Sequence, residues 1–255
     1  KIICALLLFW LLPQHLFASH IIGGELYYTC TGNDNYEITL KVYRDCYNGQ
    51  APYDNPSYIF IYNNATGQLY TTLSCAFPGS DELPNNTGNP CLIVPPNICV
   101  EEAIFTADVF LPASVGGYRL IYQRCCRNST IVNIFDPGNT GATYEATMPS
   151  SSLATCNNSP YFINFPPTLI CIYTPFVFDH SAEDPDGDSL VYELCYPYDG
   201  ATPFTPQPTP AIPPVNYNNV NFITPYSFDN PMGGAPPMAI DPATGELTVT
   251  PTAIG

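Results

Sequence analysis

Basic side chains are nearly missing from this sequence. Its 255 residues hold 6 Lys and Arg against 22 Asp and Glu, a formal net charge of −16. Charged residues make up 11%, roughly half of the ~25% usual for a soluble domain. So few cations exclude a nucleic-acid binder, which needs clustered Lys and Arg to neutralise phosphates. With 29 Pro and 17 Gly, breakers interrupt any run long enough for a helix, which excludes a helical bundle. No stretch keeps a helical apolar period over ten residues. There are three His and no Cys-x-x-Cys, so a zinc site is not expected. Gly-x-Ser-x-Gly, His-Glu-x-x-His and a phosphate loop are also absent, and the expectation is a non-catalytic protein. A glycosidase-type carboxylate pair among the 22 acids keeps a carbohydrate-active enzyme as an alternative.

What is present can build a core. Hydrophobic residues reach 45%, and 19 Tyr dominate the aromatics, a composition unlike that of disordered chains. Tyr36, Ile38, Leu40 and Val42 alternate with Glu37, Thr39 and Lys41, the period of a half-buried strand. Strands are expected also over 25–30, 58–62, 68–75, 103–111, 117–126, 130–135 and 143–148, between turn clusters at 31–35, 81–90 and 136–141. Residues 149–160 are Ser/Asn-rich and read as a linker. Beyond them, strands are expected over 168–177, 189–195 and 246–250. The Pro- and Asn-rich stretch 197–237 is unfit for central strands and is expected to pack partly as an extended edge. Many short strands between turns predict an all-β protein of two loop-rich, disulfide-bonded sandwiches, at 20–155 and 156–255. The second is expected to stop short of a complete sheet, either as a fragment or with a strand supplied from elsewhere.

Residues 1–19 read as a secretory signal: Lys1, an apolar run from Ile2 to Leu12, Pro13, then Ala18-Ser19. The run is shorter than the ~20 residues that a membrane span needs. A secreted, extracellular or cell-surface protein that does not span the membrane is expected. Ten cysteines follow the signal: Cys30, Cys46, Cys75, Cys91, Cys99, Cys125, Cys126, Cys156, Cys171 and Cys195. An even number in a secreted chain predicts disulfides. Cys125 and Cys126 are adjacent on an expected strand and would point to opposite faces, so two separate bridges are expected from them. Seven of the ten precede residue 155 and three follow it. Both counts are odd, so complete pairing sends at least one bridge across the linker. Cys156 is the expected crossing residue, which leaves Cys171 to pair with Cys195; the alternative is an unpaired cysteine.

The segment Glu183-Asp184-Pro185-Asp186-Gly187-Asp188-Ser189 crowds like charges, which repel unless a cation or solvent screens them. Oxygen ligands around a glycine turn suit calcium, with Asp184, Asp186 and Asp188 as candidate ligands. The competing reading is a solvated acidic turn. An EF-hand does not fit, since Gly187 falls at loop position 4 and Cys195 at position 12. Arg124 shares an expected strand face with Tyr118, Leu120 and Tyr122. It and Arg127 are read as structural arginines paired with acids rather than as a carboxylate-binding site.

The run from His180 to Tyr192, with Ile240-Asp241-Pro242-Ala243-Thr244-Gly245-Glu246-Leu247, resembles the acidic turn and later turn-and-strand of cadherin-like repeats. That resemblance implies an Ig-like or cadherin-like sandwich in which Asp184 and Asp186 match calcium ligands, Asp188 is an addition and Asp241 is structural. Three further segments are Ser19-His20-Ile21-Ile22-Gly23-Gly24-Glu25-Leu26, Val42-Tyr43-Arg44-Asp45-Cys46 and Tyr122-Gln123-Arg124-Cys125-Cys126-Arg127-Asn128. Together they resemble the N-terminal region of large gliding-motility-associated surface proteins of Bacteroidota. The resemblance implies type IX export and a role in surface adhesion. Its partners would be other surface proteins or glycans, or further copies in a filament completed by strand donation.

Overall fold

The structure, a computed structural model, describes residues 21–49, 51–85, 94–153, 155–211 and 217–253. The expected signal at 1–19 and Cys91 lie outside them. Eight strands build one sandwich: β1 Ile21–Gly32, β2 Asn35–Asp45, β3 Ser57–Asn63, β4 Gln68–Cys75, β5 Asp81–Glu82, β6 Val100–Phe110, β7 Tyr118–Arg124 and β8 Ala142–Met148. They form two antiparallel four-stranded sheets, ordered β1-β2-β6-β5 and β4-β3-β7-β8. Asn33 and Asp34 turn the β1–β2 hairpin with φ of +51° and +58°, the left-handed pair that a two-residue turn requires and that Asn and Asp tolerate.

Alternation decides which residues enter the core. Tyr36, Ile38, Leu40 and Val42 of β2, with Ala103 and Phe105 of β6, face Ile59 and Ile61 of β3 and Tyr118, Leu120 and Tyr122 of β7. Phe60, Tyr62 and Ile121 point the other way, yet they are buried too. The outer face of that sheet is therefore covered, which explains why β3 and β7 read as almost unbroken apolar runs.

The cover comes from the Pro-rich segment. Ala211 packs on Phe60, Tyr62 and Ile121, and its carbonyl accepts from Tyr62 Oη at 2.8 Å. Tyr198 bridges Thr143 of β8, so the segment extends that sheet edge. The approach is close: a Cβ on Gly141 would lie 2.5 Å from the Ala201 backbone nitrogen. The remaining strands are short: β9 Tyr161–Phe162, β10 Phe176–Asp179, β11 Ala182–Glu183, β12 Ala239–Ile240 and β13 Glu246–Val249. They form a three-stranded sheet β10-β13-β12 and a two-stranded β11-β9. The described residues thus show one sandwich and, beyond it, these two small sheets. The expected strands at 130–135 and 189–195 are absent, and 168–177 is strand only from Phe176. Loops and side chains, rather than neighbouring strands, take up much of the backbone there. No helix among the described residues is long and apolar enough to cross a membrane.

Three disulfides fasten the described chain. Cys30–Cys156 ties the linker to β1, and Cys46–Cys99 links the end of β2 to the entry of β6. The third joins Cys125 to Cys126, against the expectation that the two would face apart. β7 ends at Arg124, so strand alternation does not reach them. Cys75, Cys171 and Cys195 are thiols rather than half-cystines. Cys75 is packed in the sandwich core as a small apolar side chain. Cys171 and Cys195 lie on segments that form no strands, so the facing strands assumed for their pairing do not exist.

Candidate functional site

The acidic turn is built from its own backbone outward. Gly187, at φ +79°, closes it by donating its N–H to the Asp184 carbonyl at 3.0 Å. Asp184 Oδ1 accepts from the N–H of Asp186 at 2.8 Å and of Asp188 at 3.4 Å. Asp186 turns away to the linker. It accepts from Asn158 N at 2.6 Å, Asn158 Nδ2 at 2.7 Å and Asn157 Nδ2 at 3.0 Å. Those donors, the Asn158 backbone N–H foremost, hold its carboxyl below the usual carboxylate range. The same linker residues dock on β1: Asn158 Oδ1 accepts from Cys30 N at 2.7 Å, and Ser159 Oγ from Tyr28 N at 2.8 Å. Asp186 thus acts as a clasp that orients the linker along the β1 edge. Among the described residues no three His, Cys, Asp or Glu side chains converge as a metal-holding group. Three N–H donors already occupy the Asp186 carboxylate. A calcium ion would have to displace those donors.

The five Lys and Arg residues of the described chain are all engaged internally. Lys41 pairs with Glu25 at 3.7 Å, Arg119 with Glu145 at 3.4 Å and Arg124 with Asp54 at 2.7 Å; Arg44 is bound to Glu101. Arg127 donates to the carbonyls of Gly141 at 2.9 Å and Tyr198 at 3.1 Å. Cys125 and Cys126 are fully buried against Ala201, and the Cys125 N–H donates to the Pro206 carbonyl at 2.9 Å. Both features tie the C-terminal segment to the sandwich.

A different group of residues forms a cleft of about 420 Å³ on the outer face of the first sheet. Its floor is Gly23 to Glu25 of β1 with Tyr43 of β2, and its far wall is Phe162, Phe165 and His180. Tyr43 Oη donates to Glu25 Oε1 at 2.9 Å. Burial, then the Glu25 charge, pushes the Tyr43 hydroxyl far above its ordinary range. Phe165 packs on Tyr43 with ring centroids 4.9 Å apart, and the His180 ring lies flat on Phe162 at 4.0 Å. Burial lowers the His180 pKa against the opposing pull of Glu25 and Asp179, so the imidazole is neutral at neutral pH. Glu25 Oε2 and His180 Nδ1 have no hydrogen-bond partner. A second cleft of about 410 Å³, lined mainly by residues 130–133, 168–170 and 231–232 with Ile172, has no titratable side chain in its wall.

The cleft was not foreseen in the sequence. Its residues come from five separated segments, and in the sequence His180 stands out only as the start of the run that holds the acidic turn. The one local signal was the aromatic run Tyr161-Phe162-Ile163-Asn164-Phe165 directly after the linker. Comparison of the chain with protein-family models, curated proteins and solved structures gives no match.

Proposed function

We propose that this chain is a secreted, non-catalytic cell-surface protein that acts in adhesion or as a structural part of a surface assembly. The observation that carries the reading is the disulfide-fastened sandwich, whose linker is bonded covalently to β1 through Cys30–Cys156. Disulfides persist in oxidising compartments, and a bridge closing so long a loop resists unfolding where no chaperone acts. The surface also suits contact with other molecules. Phe135, Tyr173 and Phe204 are among its well-exposed aromatics, and such rings combine apolar faces with little conformational entropy to lose. The resemblance of the N-terminal motifs to gliding-associated surface proteins points the same way.

Attachment is tested by coating inert beads with the purified chain and measuring retention under flow on glass, cellulose and bacterial lawns. Retention above that of albumin-coated beads supports the proposal, and equal retention on every surface refutes it. A second reading, a filament subunit completed by strand addition, has one observation in its favour. β4 pairs with β3 alone among the described strands and exposes Leu69 and Tyr70, so a donated strand has an edge to extend. Filaments in negative-stain images of the purified chain would favour that reading.

A further inference from the structure

We infer that the cleft between β1 and residues 162–168 binds a short, neutral saccharide. The inference rests on the attachment reading and gives it a ligand class. At about 420 Å³ the cleft falls toward the lower end of the ~300–1,000 Å³ typical of small-molecule sites. Phe162 and Phe165 are 37% and 40% exposed, and aromatic surface of this kind takes the C–H face of a sugar ring.

The polar chemistry selects the ligand. Glu25 is an acceptor when ionised; its Oε2 faces the Lys41 ammonium at 3.7 Å but makes no hydrogen bond, and neither does His180 Nδ1. A ligand rich in O–H donors answers the carboxylate, and a hydroxyl can serve either tautomer of the neutral imidazole. Neither atom is solvent-exposed, so binding includes a side-chain rotation. The hydrogen bond gained then relieves an unsatisfied group instead of stripping a hydrated one.

Charge rules out the other classes. An anionic ligand finds no cation to pair with, because Lys41 is held on Glu25 at 3.7 Å and the four arginines are engaged elsewhere. A cationic ligand would meet the Lys41 ammonium beside the only carboxylate in the lining. A wholly apolar ligand would seal in His180 Nδ1 without a hydrogen bond.

The test uses the full chain on an array of neutral oligosaccharides of glucose, galactose, mannose and N-acetylglucosamine, with uronic-acid oligosaccharides and oligolysine as further arms. Hits are titrated by calorimetry. We expect at least one neutral saccharide to bind. Phe165→Ala and Glu25→Ala should each weaken it by about tenfold or more, while Phe165→Tyr retains it. Phe204→Ala, at an aromatic 88% exposed outside the cleft, should leave binding unchanged. Melting curves identify a variant that fails to fold, and the other variant then decides. No neutral ligand, stronger binding to uronate or oligolysine, or binding insensitive to the folded cleft variants would overturn the inference. Beads that attach under flow without saccharide binding would sink this site and leave the attachment proposal standing; saccharide binding without attachment would do the reverse.

Discussion

Replacing Arg124 by Met removes one half of a buried ion pair and should make stability depend on pH in a calculable direction. Arg124 Nε lies 2.7 Å from Asp54 Oδ2, with the two side chains 10% and 12% exposed. Tyr122 Oη adds a hydrogen bond to the same carboxylate oxygen at 3.4 Å, and Arg124 Nη1 donates to the Cys125 carbonyl at 2.7 Å. At that separation and an effective dielectric of about 20, the Coulomb attraction is about 6 kcal/mol. Desolvation of both groups cancels much of it, and breaking one half of such a pair typically costs about 3–5 kcal/mol. We expect that range for Arg124→Met at pH 7.5. Asp54→Asn should cost a similar amount, because it strands the guanidinium. The double variant should lose less than either single change, because no buried charge is left alone. Burial already raises the Asp54 pKa above 3.8, and Arg124 works against that rise. Without Arg124 the folded pKa rises further. The folded state of the variant then binds more protons than the unfolded chain between about 3.8 and the raised value, so its unfolding free energy grows as pH falls through that window. The gap between wild type and Arg124→Met should therefore narrow from pH 7.5 to pH 5, read by urea denaturation at both. A loss below about 1 kcal/mol, or a gap that stays constant with pH, would refute the argument that Asp54 is a charge held in place by Arg124.

The other expectations concern covalent ties, the clasp and the cleft histidine. Chain-entropy loss predicts about 5 kcal/mol for removing Cys30–Cys156 and about 4 kcal/mol for Cys46–Cys99, from separations of 126 and 53 residues. Paired Cys→Ser variants in urea should keep that order, and its reversal would count against the loop-length explanation. Asp186→Ala should raise hydrogen exchange at Tyr28 and Cys30, whose N–H groups bond the linker residues that Asp186 orients. Millimolar calcium should leave the wild-type Tm unchanged, and a calcium-dependent rise that Asp186→Ala abolishes would establish the cation instead. His180 is held neutral, its pKa lowered from 6.5. Its share of stability is therefore full above about pH 6.5 and is lost as pH falls below it. Limited proteolysis of residues 160–180 should accelerate between pH 7.5 and 5.5 in wild type and lose that dependence in His180→Phe; equal dependence in both would point to another group.

How much of this fold could be read from the chain follows from where the periodic signal survives. β2 was legible because Glu37, Thr39 and Lys41 mark its outer face against four apolar residues on the inner one. β4 was found with its bounds intact at Gln68–Cys75. β3 and β7 were located, but alternation could not assign their faces, because the Pro-rich segment buries the outer face as well. The second half was poorly legible for a different reason. Its backbone partners are side chains and loop carbonyls far away in sequence, such as Asp199 Oδ1 accepting from Gly141 N at 2.6 Å, and such partners have no period. The vicinal bridge was missed because strand geometry was extended two residues past Arg124. The cleft was missed because its wall and floor meet only after residues 161–168 fold back over β1 and β2.

The acidic composition now has a physical origin in the loops. A fold with long stretches outside sheets must find acceptors for its unpaired backbone N–H groups, and Asp is well suited to local acceptance in turns. Asp45 Oδ1 accepts from Tyr47 and Asn48, Asp241 Oδ1 from Ala243 and Thr244, Asp179 Oδ1 from Ser181, and Asp184 Oδ1 from Asp186. For Asp241 and Asp179 these bonds hold the carboxyl below its usual range, and for Asp45 they do so against burial. A charged acceptor makes a stronger bond than a neutral one, so each turn is firmer for carrying its carboxylate. Basic residues offer no such service to an N–H group. Lys41, Arg44, Arg119 and Arg124 each stand beside an acid that needs a counter-charge, whereas Arg127 donates to loop carbonyls. Part of the net charge of −16 is thus carried by carboxylates that serve as turn acceptors. On this account the closely spaced acids at 184–188 are explained by the turn and the linker clasp they build, before any ion is invoked.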